Sequence, residues 1–316
     1  MKKVLIADKA DPLCEKVLRD RGLEPVVRTG MKPEELKACA AEFDAIIVRS
    51  ATTLTRGIIE AARNLKAIAR AGSGVDNIDV AAASEKKVLV MNTPFGNTVS
   101  TGEHAVAMML ALARHIPQAS ASTHAGKWEK KKFEGVEITG KTLGVIGCGN
   151  IGAVVADRAM GLKMNVIVFD PVMTTERARE LGVKMVPLDE LYAKADFITY
   201  HVTINPATKG MLNKDAIAKM KKGVRIINCA RGGIMVEEDI KAALQSGQIA
   251  GLACDVYVKE PATEHIFFGM ENVIATPHIA ASTKDAQVTV ARQAAEQIAD
   301  YLLLGKRTHA VNGERI

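Results

Sequence analysis

The segment TLGVIGCGNIG, residues 142–152, restricts the fold of this chain more than any other stretch. Its opening residues read as a short buried strand, and the amphipathic run Ile151–Gly161 reads as a helix. Gly147, Gly149 and Gly152 join the two. Gly147 permits a tight turn, Gly149 lets an anionic group approach the backbone, and Gly152 lets helix and strand pack closely. The helix N-terminus then offers unpaired N–H groups and a positive dipole end to a pyrophosphate. Glycines mark ordinary turns as well, so the pattern carries weight only because a strand precedes it and a helix follows.

The next strand, NVIVFD, ends in Asp170, eighteen residues beyond Gly152. A carboxylate there accepts hydrogen bonds from the adenosine ribose and repels a 2′-phosphate. The bland alternative is a turn-forming aspartate before Pro171. Strand, glycines, helix, strand and acid in this order predict dinucleotide binding, with NAD favoured over NADP.

The same alternation runs the length of the chain. Short apolar runs fall at Lys3–Ala7, Ala45–Val48, Ala67–Ala69, Val88–Met91, Thr142–Ile146, Val166–Phe169, Phe197–Tyr200, Val224–Asn228, Gly251–Ala253 and Val273–Ala275. Amphipathic stretches separate them: Asp11–Arg21, Pro33–Ala41, Ile151–Gly161, Lys214–Met220, Val236–Gln245 and Ser282–Leu304, with a long helix-like run at Thr98–His115. This predicts an α/β protein whose parallel sheets are covered by helices on both faces. So many strands exceed one simple open sheet, and two sheets in two domains are expected.

Composition excludes other classes. Aromatic residues make up 4% of the chain with a single Trp, which argues against base-stacking surfaces and, with no recognition motif, against nucleic acid. A net charge of +6 suits an anionic ligand. The five cysteines form no CxxC pair and no His/Cys cluster, so no metal site is expected and free thiols in a reducing compartment are. MKKVLIADKA lacks the apolar core of an export signal, and the longest apolar stretch, around HAVAMMLALA, is too short to span a bilayer. A cytoplasmic protein without membrane partners is expected.

In the second half, charged groups stand where apolar strands give out. Arg231 follows VRIINCA, Asp255 ends GLACD, Glu260 follows in VKEP, and His278 follows VIATP. Ligands of parallel sheets bind beyond the carboxyl ends of strands, so these groups can line one cleft. Alone, each has a bland reading; a histidine after proline is usually a turn residue. Together, a guanidinium binds a carboxylate bidentately, an imidazole carries the proton that moves when an alcohol becomes a ketone, and a carboxylate orients and charges the imidazole.

The segments VRSATTLT, RAGSGVDNIDV, MNTPFGNTVSTGEHAVAMMLALAR, GKWEKKKF, GKTLGVIGCGNIG, KKGVRIINCARGGIMVEEDI, ACDVYVKEP and TPHIAASTKDAQ together resemble the D-2-hydroxyacid dehydrogenases, over essentially the whole chain. That resemblance implies two doubly wound parallel-sheet domains. A Rossmann-type nucleotide domain (97–282) would be inserted in a flavodoxin-like, discontinuous substrate domain (1–96 and 283–316). His278 then matches the acid–base residue, Glu260 its partner and Arg231 the anchor of the substrate carboxylate. Asn150 and Ile151 match phosphate-loop contacts, and Asp170 the ribose ligand. Cys229, Ala230 and Arg231 match the segment flanking the nicotinamide ribose. Asp255 matches the carboxamide ligand, His278 and Ala280 flank the nicotinamide, Val202 is an adenine-side contact, and Ser73 a loop contact.

On the substrate side, Ser73, Gly74 and Val75 resemble the carboxylate-binding turn, and Arg49, Ser50, Arg70 and Asn97 fall in matching motifs. The function implied is NAD-dependent oxidation of 3-phospho-D-glycerate, opening the route to serine, by a homodimer or higher homo-oligomer. Arg49, Arg70 and the lysines near Trp128 favour a phosphorylated acid. A glyoxylate or hydroxypyruvate reductase of the same family is the rival, and an NAD-sensing binding protein the non-enzyme alternative. Thr203 stands where many members have proline. The chain stops at Ile316, where many members continue into a serine-sensing domain, so it is either a short form without that feedback or a piece of a longer protein.

Overall fold

The computed structural model describes all 316 residues and divides into two compact units, one formed by Met1–Thr98 with Ala281–Ile316 and the other by Val99–Ala280. The first holds a five-stranded parallel sheet of β1 (Lys3–Ile6), β2 (Glu24–Val27), β3 (Ala45–Val48), β4 (Ala67–Arg70) and β5 (Leu89–Asn92). Its helices include α1 (Leu13–Asp20), α2 (Pro33–Cys39), α3 (Arg56–Ala61) and α4 (Val80–Glu85). The order β2-β1-β3-β4-β5 is the flavodoxin-like winding.

The second unit holds β6 (Thr142–Ile146), β7 (Asn165–Phe169), β8 (Lys184–Met185), β9 (Phe197–Tyr200), β10 (Val224–Asn228), β11 (Ile249–Cys254) and β12 (Val273–Ala275) in one parallel sheet. Around it run α5 (Thr98–Arg114), α6 (Ile116–His124), α7 (Asn150–Gly161), α8 (Thr175–Glu180), α9 (Leu188–Lys194), α10 (Lys214–Ala218) and α11 (Glu237–Ser246). Its order, β12-β11-β10-β9-β6-β7-β8, is the dinucleotide-binding winding with one further strand at the β11 edge. The winding reverses between β6 and β9, which pair directly. The last helix, α12 (Lys284–Leu304), returns to the first unit.

Both faces of each sheet are covered. In the first unit Val4, Ile6, Ala45, Ile47, Ala67, Ala69, Leu89 and Met91 pack with α1 and α12, whereas Leu5, Ile46, Val48, Ile68 and Val90 pack on the other face with α2 to α4. The alternation along each strand sends successive side chains to opposite cores. From α12, Val290, Ile298 and Leu302 are buried in the first of these cores, each worth about 1.5–3 kcal/mol of burial.

Two strands escaped the sequence reading for physical reasons. β2 (EPVV) contains Pro25, which has no N–H to donate and is tolerated because β2 is an edge strand. β8 is two residues long and also an edge. Beyond β5, the C-terminal tail closes the opposite edge: Ala310 bridges Met91 antiparallel, and buried Asn312 accepts from Val90 N–H at 2.8 Å and donates to the Val88 carbonyl at 3.0 Å.

Candidate active site

The three glycines do different jobs. Gly147 has φ +84°, and a Cβ there would meet the His201 carbonyl oxygen at 2.8 Å and a Val202 methyl at 2.7 Å. Val202, just past β9, therefore backs the turn. A Cβ at Gly152 would lie 2.2 Å from the Gly147 carbonyl oxygen, so only glycine allows α7 to start this close to β6. Gly149, by contrast, faces open space within 4 Å and supplies no side-chain cap, which leaves the first N–H groups of α7, at exposed Asn150 and half-buried Ile151, without an internal partner from a cap.

Asp170 follows β7 half-buried. Its Oδ2 accepts from the Cys148 N–H at 2.8 Å, and Oδ1 accepts from Val172 N–H at 2.9 Å. The turn-forming reading of this residue holds: Asp170 closes the turn after β7, and it also ties the glycine loop to that turn. Burial pushes the Cys148 thiol up to about 11, so it is no nucleophile at neutral pH. His201 is half-buried, bonded to Thr199 Oγ1 at 2.9 Å, and desolvation of its ring lowers it to about 4.

At the end of β10, fully buried Asn228 shapes the turn. It accepts from Ala230 N–H at 3.0 Å and donates to the Arg231 carbonyl at 2.9 Å. Cys229 and Ala230 are buried between them. Gly232 has a specific reason to be glycine: a Cβ there would stand 2.0 Å from the Tyr257 carbonyl carbon. The backbone beside Arg231 is thus pressed against the loop that carries Glu260. The Arg231 guanidinium donates to the Ala230 carbonyl at 2.7 Å.

Within that loop Glu260 Oε1 accepts from Tyr257 N–H at 2.9 Å, and Oε2 lies 2.6 Å from His278 Nδ1. The Glu260 hydrogen bond raises the imidazole above the ordinary histidine range, against burial and the nearby positive charge of Arg231. Burial opposes the carboxylate's charge, yet the bonds from His278 and the Tyr257 amide hold Glu260 below its usual range. With Nδ1 engaged, Nε2 is the free edge of the ring. His278 itself has φ +53°, a left-handed conformation that a non-glycine residue adopts at a cost of order 1–3 kcal/mol.

Asp255, fully buried, clamps this turn. Oδ1 accepts from Thr276 Oγ1 at 2.6 Å and Ile279 N–H at 2.8 Å, and Oδ2 accepts from Ala280 N–H at 2.8 Å. Only Oδ2 keeps a lone pair for another donor. Sequence reasoning assigned Asp255 to a ligand and missed the internal task. It missed Asn228 as well, which looks like one more residue of a buried strand.

In the other unit, Arg49 directly follows β3. Its N–H donates to Asp8 Oδ2, Nη1 donates to the Lys9 carbonyl at 2.9 Å, and Nε is buried without a partner. Burial lowers the guanidinium, with Asp8 opposing. Arg49 lines an open depression of about 510 Å³ with Asp11, Ser282, Thr283 and Lys284, at the N-terminus of α12. Ser50, the neighbour of Arg49, is exposed. Arg70 ends β4 and lies over Gly72, where φ is +146° and a Cβ would collide with the guanidinium. Ser73 Oγ donates to Asn97 Oδ1, the Ser73 carbonyl accepts from Asn92 Nδ2 at 2.7 Å, and Gly74 and Val75 follow half-buried.

A family model described as D-isomer specific 2-hydroxyacid dehydrogenase, NAD binding domain, matches residues 106–280. The chain is 46% identical over 316 residues to the D-3-phosphoglycerate dehydrogenase of Homo sapiens, covering all of itself and 59% of that protein, so it spans well under two thirds of such relatives. Among solved structures it resembles a glyoxylate reductase from Paecilomyes thermophila (TM-score 0.91, 27% identity, 99% of each chain). It also resembles NAD+-bound 3-phosphoglycerate dehydrogenase of Entamoeba histolytica (TM-score 0.84, 29% identity, 98% of each chain).

Proposed function

Because the chain belongs to the D-isomer specific 2-hydroxyacid dehydrogenase family, we propose that it oxidises 3-phospho-D-glycerate at the 2-hydroxyl with NAD. The observation that carries this is the His278–Glu260 pair at 2.6 Å, beyond the same strand ends as Arg231 and the glycine loop. The uncapped α7 N-terminus, the open side of Gly149 and the Asp170 carboxylate suit a dinucleotide, so Asn150, Ile151 and Asp170 would hold it. When bound, its nicotinamide supplies the hydride acceptor. His278 Nε2 takes the hydroxyl proton, and Glu260 stabilises the imidazolium that forms. Arg231 holds the substrate carboxylate with a planar fork, which a lysine cannot reproduce.

A second dianionic group needs its own cations. Arg49 and Lys284, in one depression at a helix N-terminus, supply them and favour a phosphorylated acid. Arg70, Ser73, Gly74, Val75 and Asn97 line the same reading of that unit. The likeness to a glyoxylate reductase keeps a small unphosphorylated acid as the second reading. Initial rates with 3-phosphoglycerate, glyoxylate, hydroxypyruvate and lactate, each with NAD(H) and NADP(H), test both; a preference for glyoxylate gives the second. Turnover of none returns the NAD-sensing alternative.

A homodimer acting in the cytoplasm, on the route to serine, completes the proposal. No helix is long and apolar enough to cross a membrane. The apolar residues of α5, such as Met108, Met109 and Leu112, are buried in their own unit, so they are not the sticky surface. What stays exposed is α6, which has no buried residue, together with Ile116 and Trp128, the latter 88% exposed. Sedimentation equilibrium tests it: a concentration-independent monomer overturns this part.

A further inference from the structure

We infer that His104 and Tyr257 are positioning residues that brace Thr276, and through it the turn presenting His278. The inference rests on the role proposed for His278. Thr276 is a junction. Its N–H donates to the Cys254 carbonyl at 3.0 Å, and its own carbonyl accepts from His278 N–H at 3.0 Å and from the Tyr257 hydroxyl at 3.1 Å. Its Oγ1 donates to Asp255 Oδ1 at 2.6 Å and lies 3.4 Å from His104 Nε2.

The protons can be placed. A threonine hydroxyl has one hydrogen, and the 2.6 Å bond to a buried carboxylate takes it. The hydroxyl's lone pair then faces His104 Nε2, so Nε2 donates to Thr276 Oγ1, while Asp255 Oδ1, already bonded twice, lies 3.6 Å from it. The His104 side chain comes from α5 and is 19% exposed, among apolar neighbours on a core helix. Tyr257 comes from the Glu260 loop: its N–H holds Glu260 and its hydroxyl holds Thr276. One residue thus sets the carboxylate, and the base of the histidine's turn, in a common frame. The frame is needed because His278 sits at φ +53°, where relaxation toward ordinary backbone would swing the ring away from Glu260.

Tyr257→Phe removes one hydroxyl and His104→Leu one donor, while His104→Gln keeps a donor and serves as rescue. Misplacement of reacting groups by ~1 Å can cost about 10²-fold, so partial loosening should lower kcat roughly tenfold in Tyr257→Phe and His104→Leu, with KM for NAD unchanged. His104→Gln should recover most of it. The second readout does not depend on turnover: the NMR titration of the His278 ring, faced by Glu260, Asp255 and Arg231, assigned by its absence in His278→Gln. In the two disruptive variants its midpoint should fall toward that of an ordinary histidine. If His104→Leu does not fold, Tyr257→Phe and His104→Gln decide. A titration and kcat within twofold of the parent in Tyr257→Phe and His104→Leu overturn the brace. An unmodified protein that oxidises no 2-hydroxy acid sinks the proposed function instead, and the titration still decides the brace.

Discussion

The N–H of Cys148, inside the glycine loop, donates to Oδ2 of Asp170 across 2.8 Å. The carboxylate that would face the adenosine ribose is therefore also a strut of the phosphate loop. A 2′-phosphate about 5 Å from it costs roughly 3 kcal/mol at an effective dielectric near 20, or about two orders of magnitude in preference. Asp170→Ala should abolish most of the preference for NAD over NADP and raise KM for both, since the loop loses its tie. Asp170→Asn should relax the preference with a smaller rise. Initial rates with the two cofactors check it, and an unmodified protein using both equally contradicts the assignment.

His278→Ala should lower kcat by roughly 10²–10⁴-fold, the usual contribution of general acid–base catalysis, while NADH still binds. Fluorescence titration of NADH separates the two effects. Near-normal turnover would remove His278 from the chemistry.

Glu260 raises His278, so alcohol oxidation, which needs the neutral ring, should gain rate as pH climbs through a value above the ordinary histidine range near 6.5. Glu260→Gln withdraws the negative charge, and the limb should move to lower pH. Ketone reduction needs the charged ring and should lose rate at neutral pH in the same variant. A kcat/KM profile in both directions is the measurement; an unmoved limb argues against the pairing.

Arg49→Ala should lower kcat/KM for 3-phosphoglycerate sharply, by about tenfold or more if one charge-assisted bond of roughly 1.5–3 kcal/mol is lost. Glyoxylate should hardly respond. Equal loss on both acids would assign Arg49 to the scaffold, through its contacts to Asp8 and Lys9.

Gly152→Ala should destabilise the protein by roughly 1–3 kcal/mol or more, because its Cβ would meet the Gly147 carbonyl oxygen at 2.2 Å and backbone must move. Gly149→Ala meets no protein atom within 4 Å and should keep the melting temperature while weakening NADH binding. Thermal unfolding of the two variants, without cofactor, separates packing from approach.

Strands at the centre of each sheet were legible because burial on both faces demands unbroken apolar runs, and Ala45–Val48, Phe197–Tyr200 and Val224–Asn228 match residue for residue. The edge strands β2 and β8 and short helices such as α3 and α4 left no such pattern. The glycine loop and the charged strand ends were legible from chemistry at a predictable place. Asn228, His104 and Tyr257 were not. Their polar atoms serve turns assembled from distant segments, and nothing local distinguishes a histidine on an apolar helix that meets a partner 172 positions away from one that does not.

The return of α12 and the C-terminal tail to the first sheet sets an order of events during synthesis. Residues 1–98 emerge first, but one face of their sheet is covered by α1 alone, and the β5 edge is unpaired, until residues 281–316 leave the ribosome. Residues 99–280 form an uninterrupted unit with its own cores and can fold in the interval. During that interval the nascent N-terminal segment carries a half-covered sheet, with apolar side chains in water that the finished fold buries.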